Sequence, residues 1–213
     1  MIYSIFRIIR FVMNKFSKFL TNLISLFLFK VNKIYFKNGF QSSGIPLVFV
    51  QGFFKVGENF KINNTVSSNP IGRNHKCMFV VRKNAQLIIG SNVGMSGTTI
   101  VCHKGITIGN NVKIGGNVCI YDTDFHSLDS NMRRNYQNDN EKTIQEEITI
   151  ADDVFVGAHT SILKGVSVGK NSIIGACSVV TKNIPANEIW AGNPARFIRK
   201  INKKNYDQGS VDL

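Results

Sequence analysis

The chain repeats in units of six. "IGSNVG" begins at Ile89, "IGNNVK" at Ile108 and "IGGNVC" at Ile114. After a long break come "IADDVF" at Ile150, "VGAHTS" at Val156, "ILKGVS" at Ile162, "VGKNSI" at Val168, "IGACSV" at Ile174 and "VTKNIP" at Val180. Positions 108, 114, 120, 150, 156, 162, 168, 174 and 180 share one phase, so the break leaves the repeat in register. A weaker copy, "VGENFK", starts at Val56, and the stretch from Met95 to Thr107 is looser and carries a slip.

Few folds tolerate such a pattern. Alternate side chains of a strand point to opposite faces, so a leading aliphatic that faces inward takes the fifth position inward with it. That fifth position is usually Val, Thr or Ser, which suits a narrow interior. Gly and Asn at the unit boundaries suit turns with unusual backbone angles. A short fixed period repeated many times is the mark of a solenoid in which each turn covers its neighbour. Three units closing one triangular turn make a parallel β-helix. A β-sandwich would space its strands irregularly.

Four cysteines (Cys77, Cys102, Cys119, Cys177) form no Cys-x-x-Cys pair and read as reduced thiols of a cytosolic protein. The net charge of +13 is unevenly placed. Residues 1–40 carry seven basic residues (Arg7, Arg10, Lys15, Lys18, Lys30, Lys33, Lys37) and no acid, and the first acid is Glu58. This favours a local anionic partner such as a membrane surface over a nucleic-acid footprint.

The opening "MIYSIFRIIRFVMNKFSKFLTNLISLFLF" has helical amphipathicity. Ile5, Ile8, Ile9, Val12, Phe16, Phe19, Leu20, Leu23 and Phe27 share one face; Ser4, Arg7, Arg10, Asn14, Lys18, Thr21, Asn22 and Ser25 share the other. Its apolar run is too short to span a bilayer, which needs about 20 residues, and no small-residue cleavage site follows. Two readings stay open: a helix lying in the membrane interface through residues 1–36, which is favoured, and one packing its apolar face on its own domain or a neighbouring subunit. The expected location is cytoplasmic, at the inner face of the cytoplasmic membrane.

The break contains "YDTDFHSLD", residues 121–129, followed by Arg133 and Arg134. Loops projecting from a rigid scaffold commonly carry chemistry. Neutral imidazole is abundant near pH 7, so His126 is a candidate base. In an extended segment Asp124 projects to the same side and would orient the ring. His75, His103 and His159 are scattered, and no metal constellation is visible. No Ser-His or Cys-His nucleophile motif appears, so a covalent acyl-enzyme is not favoured.

The stretch "ITIADDVFVGAHTSILKGVSVGKNSIIGACSVVTKNIPANEIWAGNPARFIRKI", and above all its ending through Gly192-Asn193-Pro194-Ala195-Arg196, resembles the hexapeptide-repeat acyltransferases. Within them it resembles the galactoside and maltose O-acetyltransferases and the acetyltransferases of polysaccharide biosynthesis. The resemblance covers residues 87–201 strongly and 45–86 weakly. It implies an all-β fold, a left-handed parallel β-helix, here with an N-terminal amphipathic helix and an inserted loop. The expected division is a basic helical segment over 1–40, the β-helix over 41–201 with a loop at about 121–149, and a polar tail over 202–213. It implies acetyl transfer from acetyl-CoA to a saccharide hydroxyl, no metal, and a homotrimer with the site between subunits.

The same resemblance implies roles for residues. His126 in "HSLD" matches the general base. Asp129 and Arg134 fall on the acceptor side of the loop, and Ser96, in Gly94-Met95-Ser96-Gly97, stands where the galactoside enzymes have an acceptor-holding Asn. Phe155 stands where the family often has Trp. Gly157, Ala158, Ala176 and Ser178 would line the pantetheine arm, while Lys182, Arg196 and Arg199 would meet the phosphates. Trp190 reads as a packing residue. The alternatives are N-acetylation of an amino sugar, O-acetylation of an antibiotic, a non-catalytic β-helix scaffold and, weakly, a γ-class carbonic anhydrase.

Overall fold

Three strands make one turn of the coil, and each strand pairs in parallel with the strand three places on. The structure, a computed structural model, describes residues 2–71 and 75–202. Its strands form a triangular parallel β-helix of three sheets, two with six strands and one with eight. The register follows the sixes. Ile114 pairs with Val156, which pairs with Ile174; Ile120 pairs with Ile162, which pairs with Val180. All six are buried, as are the fifth-position residues Val112, Val118, Val154, Thr160, Val166, Ser172 and Ser178. The inward placement of both positions is therefore as expected.

One corner of the triangle is a column of left-handed residues. Asn59, Asn92, Asn111, Asp153, Asn171 and Asn187 all have φ between 55° and 62°. Asn tolerates this region because its short amide can bond locally. Here the amides also bond along the coil: Asn59 donates to Asn92 at 3.0 Å, Asn92 to Asn111 at 3.1 Å, Asn111 to Asp153 at 3.0 Å and Asn171 to Asn187 at 2.9 Å. At another corner, Gly157 sits so close to the next turn that a Cβ there would collide with the backbone of Ala176.

The coil starts at Tyr35–Phe36, which pairs with Lys55 and Val56, so it begins before the expected boundary at 41. Helix α1 (Ile2–Val31) precedes it. Its last turns close the wide end of the core: Phe29 is fully buried against Phe36, Phe40, Phe54 and Phe79. The rest of α1 behaves differently. Thr21 Oγ1 accepts from Gly44 N at 3.1 Å, Asn22 Oδ1 accepts from Ser42 N at 2.8 Å, and Ser25 Oγ donates to Gly44 O at 3.4 Å. The polar side faces the coil, while Val12, Phe16, Phe19, Leu20, Leu23 and Phe27 face outward and are exposed. Packing of the apolar face on its own domain is thus excluded. No helix among the described residues is long and apolar enough to cross a membrane.

Two excursions leave the coil. Described residues 64–71 and 75–77 lie between the strands Lys61–Asn63 and Met78–Val81, and the repeat did not announce them. The second connects Cys119–Tyr121 to Ile148–Ile150 and carries two short helices, α2 (Ser130–Arg133) and α3 (Tyr136–Lys142). At the far end, Glu188–Ala191 and Arg196–Lys200 form an antiparallel cap. Half-buried Trp190 packs on the core and donates to Glu188 at 2.8 Å. The tail from 203 onward lies outside the described residues.

Candidate active site on the inserted loop

The loop is held at its stem by a buried carboxylate. Asp122 is fully buried and accepts from the backbone N–H groups of His103, Lys104 and Gly105 at 2.7, 2.8 and 2.8 Å. Thr123 bridges to Gln145 across the stem, Asp124 N donates to Ile144 O, and Glu146 N donates to Asp122 O. The loop therefore rises from the coil as a short antiparallel stalk.

Phe125 has a φ of 66°. This left-handed residue breaks the extended run and turns His126 away from Asp124. The expected Asp124–His126 pairing is absent for that reason. Asp124 instead pairs with Lys164 at 2.7 Å, both side chains 23% exposed, and so ties the stalk to the coil below. Its other oxygen is buried without a hydrogen-bond partner.

The ring of His126 is held by Asp139, a residue that sequence reasoning missed. Asp139 lies on α3, whose N-cap Asn135 accepts from Gln137 N and Asn138 N. One Asp139 oxygen is 2.7 Å from His126 Nδ1 and the other accepts from Ser127 N at 2.5 Å. The hydrogen bond to His126, then the one from Ser127, hold the Asp139 carboxyl below its ordinary range. It is therefore an anion at neutral pH and can only accept. Nδ1 of His126 must donate to it, and in the neutral ring this leaves the lone pair on Nε2. The His126 side chain is 69% exposed, so that lone pair is open to a substrate. Nothing in "NYQNDNEK" singled out Asp139; only the folded loop brings it to the ring.

The other predicted residues divide. Asp129 caps α2, accepting from Asn131 N at 2.8 Å. Arg133 donates to the carbonyls of Ser127 and Leu128 at 2.6 and 3.1 Å and braces the turn after His126. Arg134 is exposed, touching only Asn131 Oδ1 at 3.5 Å, and its charge is available. Ser96 accepts from Asn63 at 3.1 Å in a cleft of about 10 Å³ beside Ile71 and His75. Ser96 thus lies at the bottom of a narrow cleft of this chain. A larger cavity of about 320 Å³ adjoins the loop, lined by Arg82, Lys83, His103, Phe125, Tyr136 and Gln145. Burial, then the charge of Arg82, lowers the pKa of His103 there.

On the coil, Phe155 and Ala176 are exposed, Ala158 is half-buried and Gly157 is buried in the tight corner. Ser178 is fully buried, donates to Gly175 O at 2.7 Å and accepts from Gly192 N at 3.1 Å. Its hydroxyl is used inside the corner, which leaves the backbone of Ser178 as the part that could line the expected pantetheine arm. Lys182, Arg196 and Arg199 are all exposed, and no carboxylate pairs with them among the described residues. No group of His, Cys, Asp or Glu among the described residues is placed to hold a metal ion. Cys77 is buried and its thiol is pushed up to about 12 by that burial.

The description "Bacterial transferase hexapeptide (six repeats)" matches residues 147–182. The galactoside O-acetyltransferase of Lactococcus lactis subsp. lactis is 36% identical over 165 residues, covering 76% of this chain and 72% of that enzyme. The chain belongs to the hexapeptide-repeat transferases. The galactoside O-acetyltransferase of Escherichia coli is 42% identical over 107 residues, half of each chain. Among solved structures, a galactoside acetyltransferase in complex with coenzyme A is 28% identical, with a TM-score of 0.53, covering 84% of this chain and 70% of that one. AntD, an N-acyltransferase from Bacillus cereus, gives a TM-score of 0.68 at 19% identity, covering 84% and 90%, and shares the fold. In this family member the transferase repeat therefore lies directly after the loop that carries His126.

Proposed function

We propose that this transferase moves an acetyl group from acetyl-CoA to a hydroxyl of a saccharide, in the assembly of cell-surface polysaccharide. The observation that carries this is the imidazole of His126, fixed through Nδ1 by Asp139 and open at Nε2. Nε2 takes the proton of the acceptor hydroxyl. The oxygen attacks the thioester carbonyl carbon, and the tetrahedral oxyanion collapses to ester and CoA thiolate. The imidazolium returns its proton to the thiolate sulfur, so no covalent enzyme intermediate is needed. Asp139 keeps the productive tautomer and stabilises the imidazolium, the role a buried carboxylate plays in hydrolase triads.

The donor lies along the coil between Phe155, Gly157, Ala158 and Ala176, with Lys182, Arg196 and Arg199 against its phosphates. Charge-assisted contacts suit phosphates, and no carboxylate among the described residues pairs with these three cations. The similarity to a CoA-bound galactoside acetyltransferase supports this reading. The coil is left-handed and the chain a homotrimer, with Arg134 and the basic cavity beside Phe125 on the acceptor side.

The test is transfer from radiolabelled acetyl-CoA to a panel of neutral sugars, sugar nucleotides and amino sugars. Ester formation that depends on His126 supports the proposal. Amide formation on an amino sugar would move the chain to the N-acetyltransferases, and CoA failing to bind at all would remove the donor.

A further inference from the structure

From Tyr3 to Leu20 every described side chain of α1 is exposed. At 1.5 Å per residue this is a rod of roughly 27 Å standing clear of the coil. Phe16, Phe19 and Phe27 are 65%, 63% and 64% exposed on its outer face. An apolar strip of that size on a monomer marks a surface that something else covers. The polar contacts of Thr21, Asn22 and Ser25 to the coil fix which way the strip points, so α1 cannot roll over to bury it on its own domain.

A second surface continues from it. Where α1 ends, a groove of about 410 Å³ opens between Lys30, Lys37 and Lys55, floored by Ile34, Tyr35 and Phe36. Tyr35 stacks on exposed Phe53 at 5.6 Å beside it. The groove is thus apolar at its base and cationic at its rim, although Lys37 also reaches Glu58 at 3.6 Å.

We propose that the outer face of α1 and this groove together form a docking surface for a bilayer containing anionic lipid. The apolar strip enters the interface between headgroups and acyl chains. At 100° per residue Lys15 borders the strip and Arg10 lies farther round on the polar side, and their long stems let both reach the phosphates. The lysine rim of the groove seats a further headgroup. Charge decides against pairing with the strip of a second copy: residues 1–57 contain no acid, so two strips laid together set cations beside cations with nothing to neutralise them. An anionic membrane satisfies the apolar and the basic residues at once. No helix among the described residues is long and apolar enough to cross the bilayer, and the proposed attachment lies along the surface. This inference stands independently of the acetyl-transfer reading.

The test uses the full chain and vesicles of phosphatidylcholine, with or without phosphatidylglycerol, in a co-sedimentation assay. Partition into the anionic vesicles at least ~10-fold above the neutral ones is expected, since each cation near an anionic surface contributes about 1 kcal/mol. The double variant Phe16→Glu with Leu20→Glu should fall to background. Arg10→Gln with Lys15→Gln should lose the preference for phosphatidylglycerol, as should high salt. All four positions are exposed, so folding is spared, and circular dichroism with sedimentation velocity checks this. Equal partition into both vesicle types, or glutamates at 16 and 20 that bind like the wild type, overturns the proposal. So does a drop in oligomeric state on introducing those glutamates without any vesicle binding by the wild type, which assigns the strip to another copy.

Discussion

The coil and the loop that interrupts it are built on opposite economies of structure. In the coil, almost every stabilising contact is between a residue and its equivalent one turn away: Ile114, Val156 and Ile174 stack, and so do Ile120, Ile162 and Val180. In the loop, bonds converge on single atoms. Three backbone amides meet Asp122, and Asp139 uses one oxygen on the His126 ring and the other on the backbone N–H of Ser127. Repetition makes the coil tolerant in polar exposed positions and brittle inside. Convergence makes the loop tolerant nearly everywhere except at a few carboxylates and one ring.

Mutations should separate the two. The largest effect expected is on chemistry: His126→Ala lowers acetyl turnover roughly 10³-fold, the scale of a lost general base, with melting temperature and CoA affinity unchanged. A parallel fall in melting temperature would mean that the loop supports the coil after all. Next, Ile162→Ala deletes a fully buried methyl-bearing side chain from the coil and should cost about 3 kcal/mol of stability in urea unfolding, with little change in turnover per folded molecule.

Asp139→Asn should lower turnover about 10²-fold by permitting the wrong tautomer, with KM for acetyl-CoA unchanged; retention of the wild-type rate would leave Asp139 a loop brace only. It carries a pH signature too. The folded-state pKa of Asp139 is depressed, so its stabilisation is fully present above the ordinary carboxylate pKa of about 3.9 and is lost as pH falls through the lower folded value. The stability gap between wild type and Asp139→Asn should therefore close only in acid. The smallest effect is expected from Asp124→Asn. It weakens one half-buried ion pair with Lys164, about 1 kcal/mol, and should change turnover by no more than a few-fold.

What could be read from the sequence follows the same division. The period of six specified the register of the coil and the inward faces, because each turn repeats one local rule. The Asn residues at the boundaries announced their left-handed corners for the same reason. His126 was singled out as a candidate base through a resemblance. Its partner was not, because the identity of the carboxylate on the ring depends on one residue, Phe125, turning left-handed, and aromatic residues rarely do so. The amphipathic pattern of α1 was plain, but its orientation rested on Thr21, Asn22 and Ser25 finding the backbone of Ser42 and Gly44, a tertiary match with no periodic trace. The break between the strands Lys61–Asn63 and Met78–Val81 was likewise silent, since an absent repeat looks the same as a weak one.

The column of side-chain amides at one corner has a consequence for how such chains change in length. An amide both gives and takes a hydrogen bond, so a rung can be slipped between any two others without altering either. A carboxylate only takes, and the run from Asn59 ends where it meets Asp153. Whole turns can thus be gained or lost above that point while the corner remains satisfied, but a fraction of a turn would leave an asparagine facing nothing. Insertions in this architecture must leave and rejoin in phase, as the loop bearing His126 does, and that loop is therefore free to be exchanged for another without disturbing the coil that presents it.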